Sequence, residues 1–239
     1  MKTILMKLAG PLQSWGTNSH YENRQTNRFP SKSAIIGMIA AAMGYRRYEN
    51  KKLDELRKLS FAVRVDQQGD ILRDFQIAIS HKSNGEMLRS YVTNRYYLQD
   101  AVFVVAIGSE DEALIEKIND SLKRPYFQLY LGRKSCPINT DYLSKDYKPS
   151  DQGVIESLTS LQWKAANWYQ RRCINQGLKP VYICADSNLL DDKYYQMIRD
   201  IPYSFAQGET SSPYNTSDRR EYRLRSIGYL NNINVKPTV

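Results

Sequence analysis

The sequence predicts an α+β fold, a sandwich of strands and helices, and three observations carry that prediction. Ile4, Met6 and Leu8 alternate with Thr3, Leu5 and Lys7, the period of a half-buried strand. The apolar run Ala34 to Met43 is instead spaced for a helix, with Ile35, Ile36, Ile39, Ala42 and Met43 on one stripe. Phe61–Val65 and Ala101–Ile107 are β-branched and aromatic runs of strand length. The chain's 239 residues, 41% apolar and 25% charged, suit one large folded domain or a core with a modest appendage, and exclude a disordered or collagen-like chain.

Taken in order, the opening strand leads into a polar connection from Gly10 to Pro30, a length at which ordered loops tend to be functional. Ser31 or Ser33 is placed to cap a helix over about 33–43, Gly37, Ala40 and Ala41 allow close approach to a sheet, and Gly44 suits the left-handed residue after the last turn. A short charged helix near 50–59 precedes Phe61–Val65, and the turn at Gln67-Gln68-Gly69-Asp70 predicts a hairpin returning through Ile71 to Ile79. The polar stretch His81 to Arg95 reads as a projecting loop or thumb before the buried strand at 101–107. Glu110 to Leu122 has helical spacing with Ser109 as its cap, and Tyr126 to Leu131 reads as a strand. This succession approximates a ferredoxin-like β-α-β-β-α-β core, residues 1–137, with the thumb near 80–97. Residues 138–239 form a less regular elaboration packed on that core: a turn-rich stretch to Gln152, an amphipathic helix near 153–171, a strand at Val181–Ala185, a loop over 201–215 and a last strand at Tyr222–Ile227. No repeat of solenoid period occurs.

Thirty-four lysines and arginines against 25 acidic residues give a formal charge of +9, which favours a polyanionic partner, nucleic acid first, or simply keeps the chain soluble. Two histidines, His20 and His81, and three cysteines, Cys136, Cys173 and Cys184, lack metal-ligand spacing, so no metal or other cofactor is expected. The odd, irregular cysteines argue against a disulfide scaffold and for the reducing cytoplasm. Lys7 interrupts any secretory apolar core, and the run from Ala34 to Met43 is half a membrane span, so no membrane partner is expected.

Cations, small polar residues and aromatics concentrate in 13–33, 89–97, 124–136 and 219–229. In the first, Gln13, Ser14, Trp15, Arg24, Gln25, Thr26, Asn27, Arg28, Ser31, Lys32 and Ser33 gather around a helix N-terminus, where free N–H groups and the dipole favour phosphate; equally, Ser31 and Ser33 cap and Trp15 packs. Arg95 beside Tyr96 and Tyr97 combines phosphate holding with base stacking, or belongs to a strand face. Arg133, Lys134 and Ser135 lie between Gly132 and Pro137, where a sharp turn would focus both cations. Arg219, Arg220, Arg223 and Arg225 form either a basic strand face or an edge protected by charge. Catalytic candidates are few: His20 near Tyr21, or His81 beside Lys82, could support metal-independent RNA cleavage, though no partner is positioned for either. No phosphate-binding P-loop, nucleophile elbow or dinucleotide fingerprint occurs.

Three segments, Leu8-Ala9-Gly10-Pro11-Leu12-Gln13-Ser14-Trp15-Gly16, Arg28-Phe29-Pro30-Ser31-Lys32-Ser33-Ala34-Ile35-Ile36-Gly37 and Tyr130-Leu131-Gly132-Arg133-Lys134-Ser135-Cys136-Pro137, resemble the CasD family in content and order. Thr93-Asn94-Arg95-Tyr96-Tyr97-Leu98 with Asp100-Ala101 is similar to that family's thumb-to-strand junction, while the last hundred residues resemble it only loosely. The resemblance implies an RRM-like fold of the repeat-associated RNA-binding superfamily with a protruding thumb. It also implies a non-catalytic subunit of the type I-E CRISPR Cascade surveillance complex that binds the 5′ handle of crRNA. Such a subunit caps the filament of backbone subunits, contacts the large subunit, meets target DNA through the assembled complex and leaves precursor cleavage to another subunit. A related type I-C subfamily cuts the precursor with a histidine-containing site, so the alternative is a metal-independent endoribonuclease. A third reading is a purely structural subunit whose basic loops meet an acidic protein.

Overall fold

A computed structural model describes residues 1–16, 22–46, 49–144, 147–190, 195–204 and 220–238, with the side chains of 201–204 and 220–222 left aside. The strands are β1 (Lys2–Ala9), β2 (Leu12–Gln13), β3 (Asn23–Arg24), β4 (Ser60–Gln67), β5 (Asp70–His81), β6 (Met87–Gln99), β7 (Val102–Ser109), β8 (Tyr182–Asp186), β9 (Gln196–Ser204) and β10 (Arg220–Leu230). The α-helices are α1 (Lys32–Ala42), α2 (Asn50–Arg57), α3 (Glu112–Lys123), α4 (Val154–Ser160) and α5 (Asn167–Asn175).

The main sheet has six strands in the order β1-β7-β4-β8-β10-β9. β7 lies antiparallel between β1 and β4, so β1, α1 and β4 form a split β-α-β unit, completed by α3 after β7. The sixth element of the expected core is absent as a strand. Tyr126 and Phe127 donate their backbone N–H groups to Ala42 and Ala41 (2.9 and 3.2 Å), and only Tyr130 makes a bridge, to Pro137. A segment that satisfies helix-terminal carbonyls leaves those donors unavailable to a sheet neighbour. Strands β8, β10 and β9, from the C-terminal part, continue the same sheet beyond β4.

Both faces of this sheet are covered. Ile4, Met6, Phe61, Val63, Phe103 and Val105 pack with Ile35 and Ile39 of α1 and Ile115 and Ile118 of α3. Leu5, Ala62, Val104, Ala106 and Ile183 meet Val154 and Leu158 of α4 on the other side. The opening strand is therefore buried on both faces rather than one, because a third layer covers the side that Leu5 occupies. Gly37 is exposed with open space around it, so the small residues that approach the sheet are Ala40 and Ala42. Asp111, not Ser109, caps α3 by accepting from Leu114 N at 3.0 Å; Ser109 Oγ accepts from Asp111 N. A carboxylate there also complements the helix dipole.

The expected hairpin between Phe61–Val65 and Ile71–Ile79 is replaced by another pairing. β7 and β8 already occupy both edges of β4, and the chain turns away at Gly69, φ +69°, where a Cβ would stand 2.4 Å from Gln99 O. β5 then pairs with β6 along its length, Asp70↔Gln99 to His81↔Met87, and the thumb is this long two-stranded arm rather than a loop. β2 and β3 lie along the other edge of β6.

The expected helix at 153–171 is two helices, interrupted where Arg64 intervenes. Arg64 donates from Nε and Nη2 to Asp66 (2.7 and 2.8 Å), from Nη1 to the carbonyls of Leu158 and Leu161, and from Nη2 to Gln162 O (2.9 Å). All five guanidinium donors are used, and the carbonyls that would continue the helix belong to Arg64. Asp66 also accepts from Lys164 N at 2.6 Å; burial pushes its carboxyl up against the opposing pull of the guanidinium. Residues 196–204 form β9, so the expected loop over 201–215 begins as strand; 205–219 lie outside the described residues.

Candidate nucleic-acid interface

Three of the four cation-rich stretches converge, and backbone contacts draw them together. Ser14 N donates to Leu131 O at 3.0 Å and Ser14 Oγ to Tyr96 O at 3.2 Å, tying the first loop to both the 131–136 turn and β6. Gly132, φ +85°, presses so closely on Ser14 that a Cβ would fall 1.7 Å from its carbonyl oxygen. Only glycine fits this crossing. β3 pairs in parallel with β6, setting Arg24 beside Arg95. Arg133 Nη2 then donates to Arg24 O at 2.8 Å while its guanidinium stacks 4.5 Å from the centroid of the buried Tyr97 ring.

Arg24, Arg95 and Arg133 therefore crowd one locus, with the exposed Lys134 and Ser135 beside it. Among the described residues no ion pair joins these three arginines to a carboxylate. Asp74, across from Arg95 on β5, accepts from Gln76 Nε2 at 2.8 Å instead. Like charges side by side on neighbouring strands are unfavourable unless an anion is shared. Arg95 Nε and Arg133 Nη1 are moreover buried without a hydrogen-bond partner among the described residues, so the protein leaves the positive charge at this locus incompletely satisfied.

Strand alternation divides one expected group of this site. Arg95 with Tyr96 and Tyr97, expected either to hold a nucleotide together or to belong to a strand face, lies on β6, where successive residues point to opposite faces. Arg95 shares its face with Tyr97, Tyr91 and Arg89, whose guanidinium lies 4.8 Å over the Tyr91 ring. Tyr96 shares the other face with Phe75, Ile77, Ile79, Leu88 and Val92, all of which except Tyr96 are exposed apolar side chains. Arg89 and Tyr91 extend the basic face along the arm, and reading 87–99 as a strand makes their common side visible from period two alone.

Several sequence-selected residues turn inward. Gln13 is fully buried, donating to Ala101 O at 2.7 Å and accepting from Trp15 Nε1 at 3.1 Å, and Trp15 is buried with it. Thr26 Oγ1 accepts from Trp15 N at 2.8 Å, so it braces the loop. Ser31 is buried and caps α1 through Ala34 N; Ser33 Oγ lies 3.1 Å from Ser31 Oγ. Arg28 is exposed.

The expected anion corner at the start of α1 holds an anion of the protein's own. Asp200 of β9 accepts from the N–H groups of Lys32 and Ser33 at 2.7 and 3.0 Å. Lys32 Nζ pairs with Asp186 at 2.9 Å, and Arg225 bridges Asp186 and Asp200 at 2.6 and 2.7 Å. Lys32 is thus a buried partner of a charge-balanced quartet and is turned away from any ligand. Arg225, expected on a basic strand face or a charge-protected edge, belongs instead to the same buried quartet. Nothing local in the sequence pairs Asp186 or Asp200 with a helix more than 150 residues earlier.

His81 ends β5 at the tip of the arm, seven residues beyond Asp74 and so roughly 23 Å from the arginine locus. His20 lies outside the described residues. Among the described residues no three His, Cys, Asp or Glu side chains gather as a metal site, and no helix is long and apolar enough to cross a membrane. The three cysteines are free and buried; burial pushes the Cys184 thiol up to about 12 and raises that of Cys136.

The described fold is an α+β sheet carrying a long arm, with arginines from three stretches gathered at the arm's root. The chain belongs to the CRISPR-associated Cas5 family: the family model described as CRISPR-associated protein (Cas_Cas5) matches residues 3–221. The CRISPR system Cascade subunit CasD of Escherichia coli (strain K12) is 32% identical over 149 residues, which span 56% of this chain and 66% of that subunit, just short of two thirds of its length. A chain of a solved CRISPR RNA-guided surveillance complex superposes with a TM-score of 0.71 at 29% identity, covering 96% of this chain and 90% of the other. A Cas protein crystal structure gives 0.60 at 26% identity, over 98% and 97% of the two chains.

Proposed function

We propose that this chain is the CasD-type subunit of a type I-E Cascade surveillance complex, that it binds the 5′ handle of crRNA and that it caps the backbone filament. The observation that carries the reading is the meeting of Arg24, Arg95 and Arg133 with no carboxylate partner among the described residues, two of them holding buried donors unpaired within those residues. An RNA phosphate supplies what that locus lacks, and the Arg89–Tyr91 face continues the track along the arm. Handle selectivity then arises from splayed bases read on their edges. The RRM-like description rests on the split β-α-β half and on the likeness to the surveillance-complex chain.

The other face of the arm supports assembly. Phe75, Ile77, Ile79, Leu88 and Val92 are each at least half exposed, a contiguous apolar strip of the kind that marks a protein contact, and a neighbouring backbone subunit is its occupant in this reading. The large subunit, and target DNA through the assembled complex, complete the partners. The role is non-catalytic, with His81 held far from the arginine locus, and the buried reduced cysteines suit the cytoplasm. The test is titration of labelled handle RNA with purified chain. Arg133→Ala should weaken binding roughly 10- to 100-fold, the loss expected for hydrogen bonds to a charged group, in a chain that still folds, its thermal midpoint lowered modestly by the lost contacts to Arg24 O and the Tyr97 ring. Site-specific cleavage of repeat RNA in EDTA, lost in His81→Ala, would instead establish the endoribonuclease.

A further inference from the structure

The stretch 123–128 contributes nothing to the arginine locus, yet it presents a second surface suited to unpaired nucleotides. Tyr126 and Phe127 are anchored by their backbones to the last carbonyls of α1, at 2.9 and 3.2 Å. The Tyr126 ring lies over Gly44, where a Cβ would come within 2.9 Å of its Cγ, so this glycine is the floor on which the ring rests. Tyr126 nevertheless remains 68% exposed. Phe127 meets it edge-on, with centroids 4.7 Å apart, and the Arg46 guanidinium sits 5.1 Å over the Phe127 ring. A large aromatic ring held on rigid backbone and left open to solvent, beside the exposed cations Arg46 and Arg124, has the two features that hold an unpaired nucleotide.

We infer that Tyr126, backed by Phe127 and Arg46, is a stacking platform for an unpaired base of single-stranded nucleic acid, separate from the Arg24–Arg95–Arg133 locus. The shared ligand chemistry is an unpaired base with a flanking phosphate. Its source is either the guide RNA or a DNA strand displaced from a duplex.

Fluorescein-labelled oligo(U) and oligo(dT) titrated into the full-length chain test this. Tyr126→Ala should lose roughly 5- to 150-fold in affinity, in line with the worth of one stacked base. Tyr126→Trp should retain affinity while Tyr126→Leu fails, because stacking needs a π-face and apolar packing does not. Loss confined to oligo(U) assigns an RNA source, loss confined to oligo(dT) a DNA source, and loss on both supports the platform for either. The same fold-loss should recur in an Arg133→Ala background, since separate sites act additively. If Arg133→Ala is silent while Tyr126→Ala is not, the handle reading fails and this one stands. Wild-type affinity of Tyr126→Leu for both oligomers, or binding of labelled poly-glutamate by wild type as tight as that of the oligomers and lost in Tyr126→Ala, would overturn it in favour of no site or an acidic-protein surface.

Discussion

At the scale of single residues, arginine geometry separates binding from scaffolding. Arg133 spends one donor on Arg24 O and its planar face on Tyr97, and still keeps a buried nitrogen without a partner. Lysine has neither the fork nor the flat face, so Arg133→Lys should behave like Arg133→Ala in an RNA-affinity titration. Lys32 is the opposite case. Its ammonium is sealed against Asp186, and removing it leaves a buried carboxylate short of a partner. Lys32→Ala should therefore cost about 3–5 kcal/mol in a denaturant melt, with little effect on RNA affinity per folded molecule. Cys184, pushed up to about 12 by burial, stays protonated at ordinary pH. Iodoacetamide at pH 8 should label it only after unfolding; rapid labelling of native protein would contradict its enclosure.

At the scale of elements, what the sequence discloses depends on how local the deciding interaction is. The strands at 3–8, 61–65, 101–107 and 181–185 and the helix after Ser31 are legible because each carries its own period and cap. Pairing is less legible: the Gly69 turn reads as a hairpin, but the partners of β4 are chosen by burial on both faces, and β5 turns to β6 instead. The break between α4 and α5 is set by Arg64, some 94 residues before the carbonyl of Leu158 that it binds. The candidate site divides in the same way. Glycine at 132 and the cations around it announce a turn, whereas the contact of that turn with Ser14 and Arg24 depends on the assembled fold. Gly132→Ala meets both a positive φ and the Ser14 carbonyl, so it should separate the two loops. Hydrogen exchange at Ser14 N should rise markedly in that variant, and unchanged protection would contradict the crossing.

At the scale of the whole molecule, one arm presents two faces. Period-two alternation places Arg89, Tyr91, Arg95 and Tyr97 on one face and the apolar strip on the other, so the proposed RNA binding and the proposed subunit contact should be separable by mutation. Ile77→Glu with Val92→Glu should leave the melting temperature and isolated RNA affinity near wild type while abolishing co-purification with backbone subunits. The buried quartet of Lys32, Asp186, Asp200 and Arg225 fastens the C-terminal strands to the start of α1, which fixes the loop that leads to Arg24 and Arg28 from behind. The most direct test of the account is the salt dependence of handle-RNA affinity. Each phosphate neutralised on a single strand contributes about −0.7 to the slope of log K against log salt. Arg24→Ala and Arg133→Ala should each flatten that slope by roughly this amount; slopes identical to wild type in both variants would show that the RNA runs elsewhere.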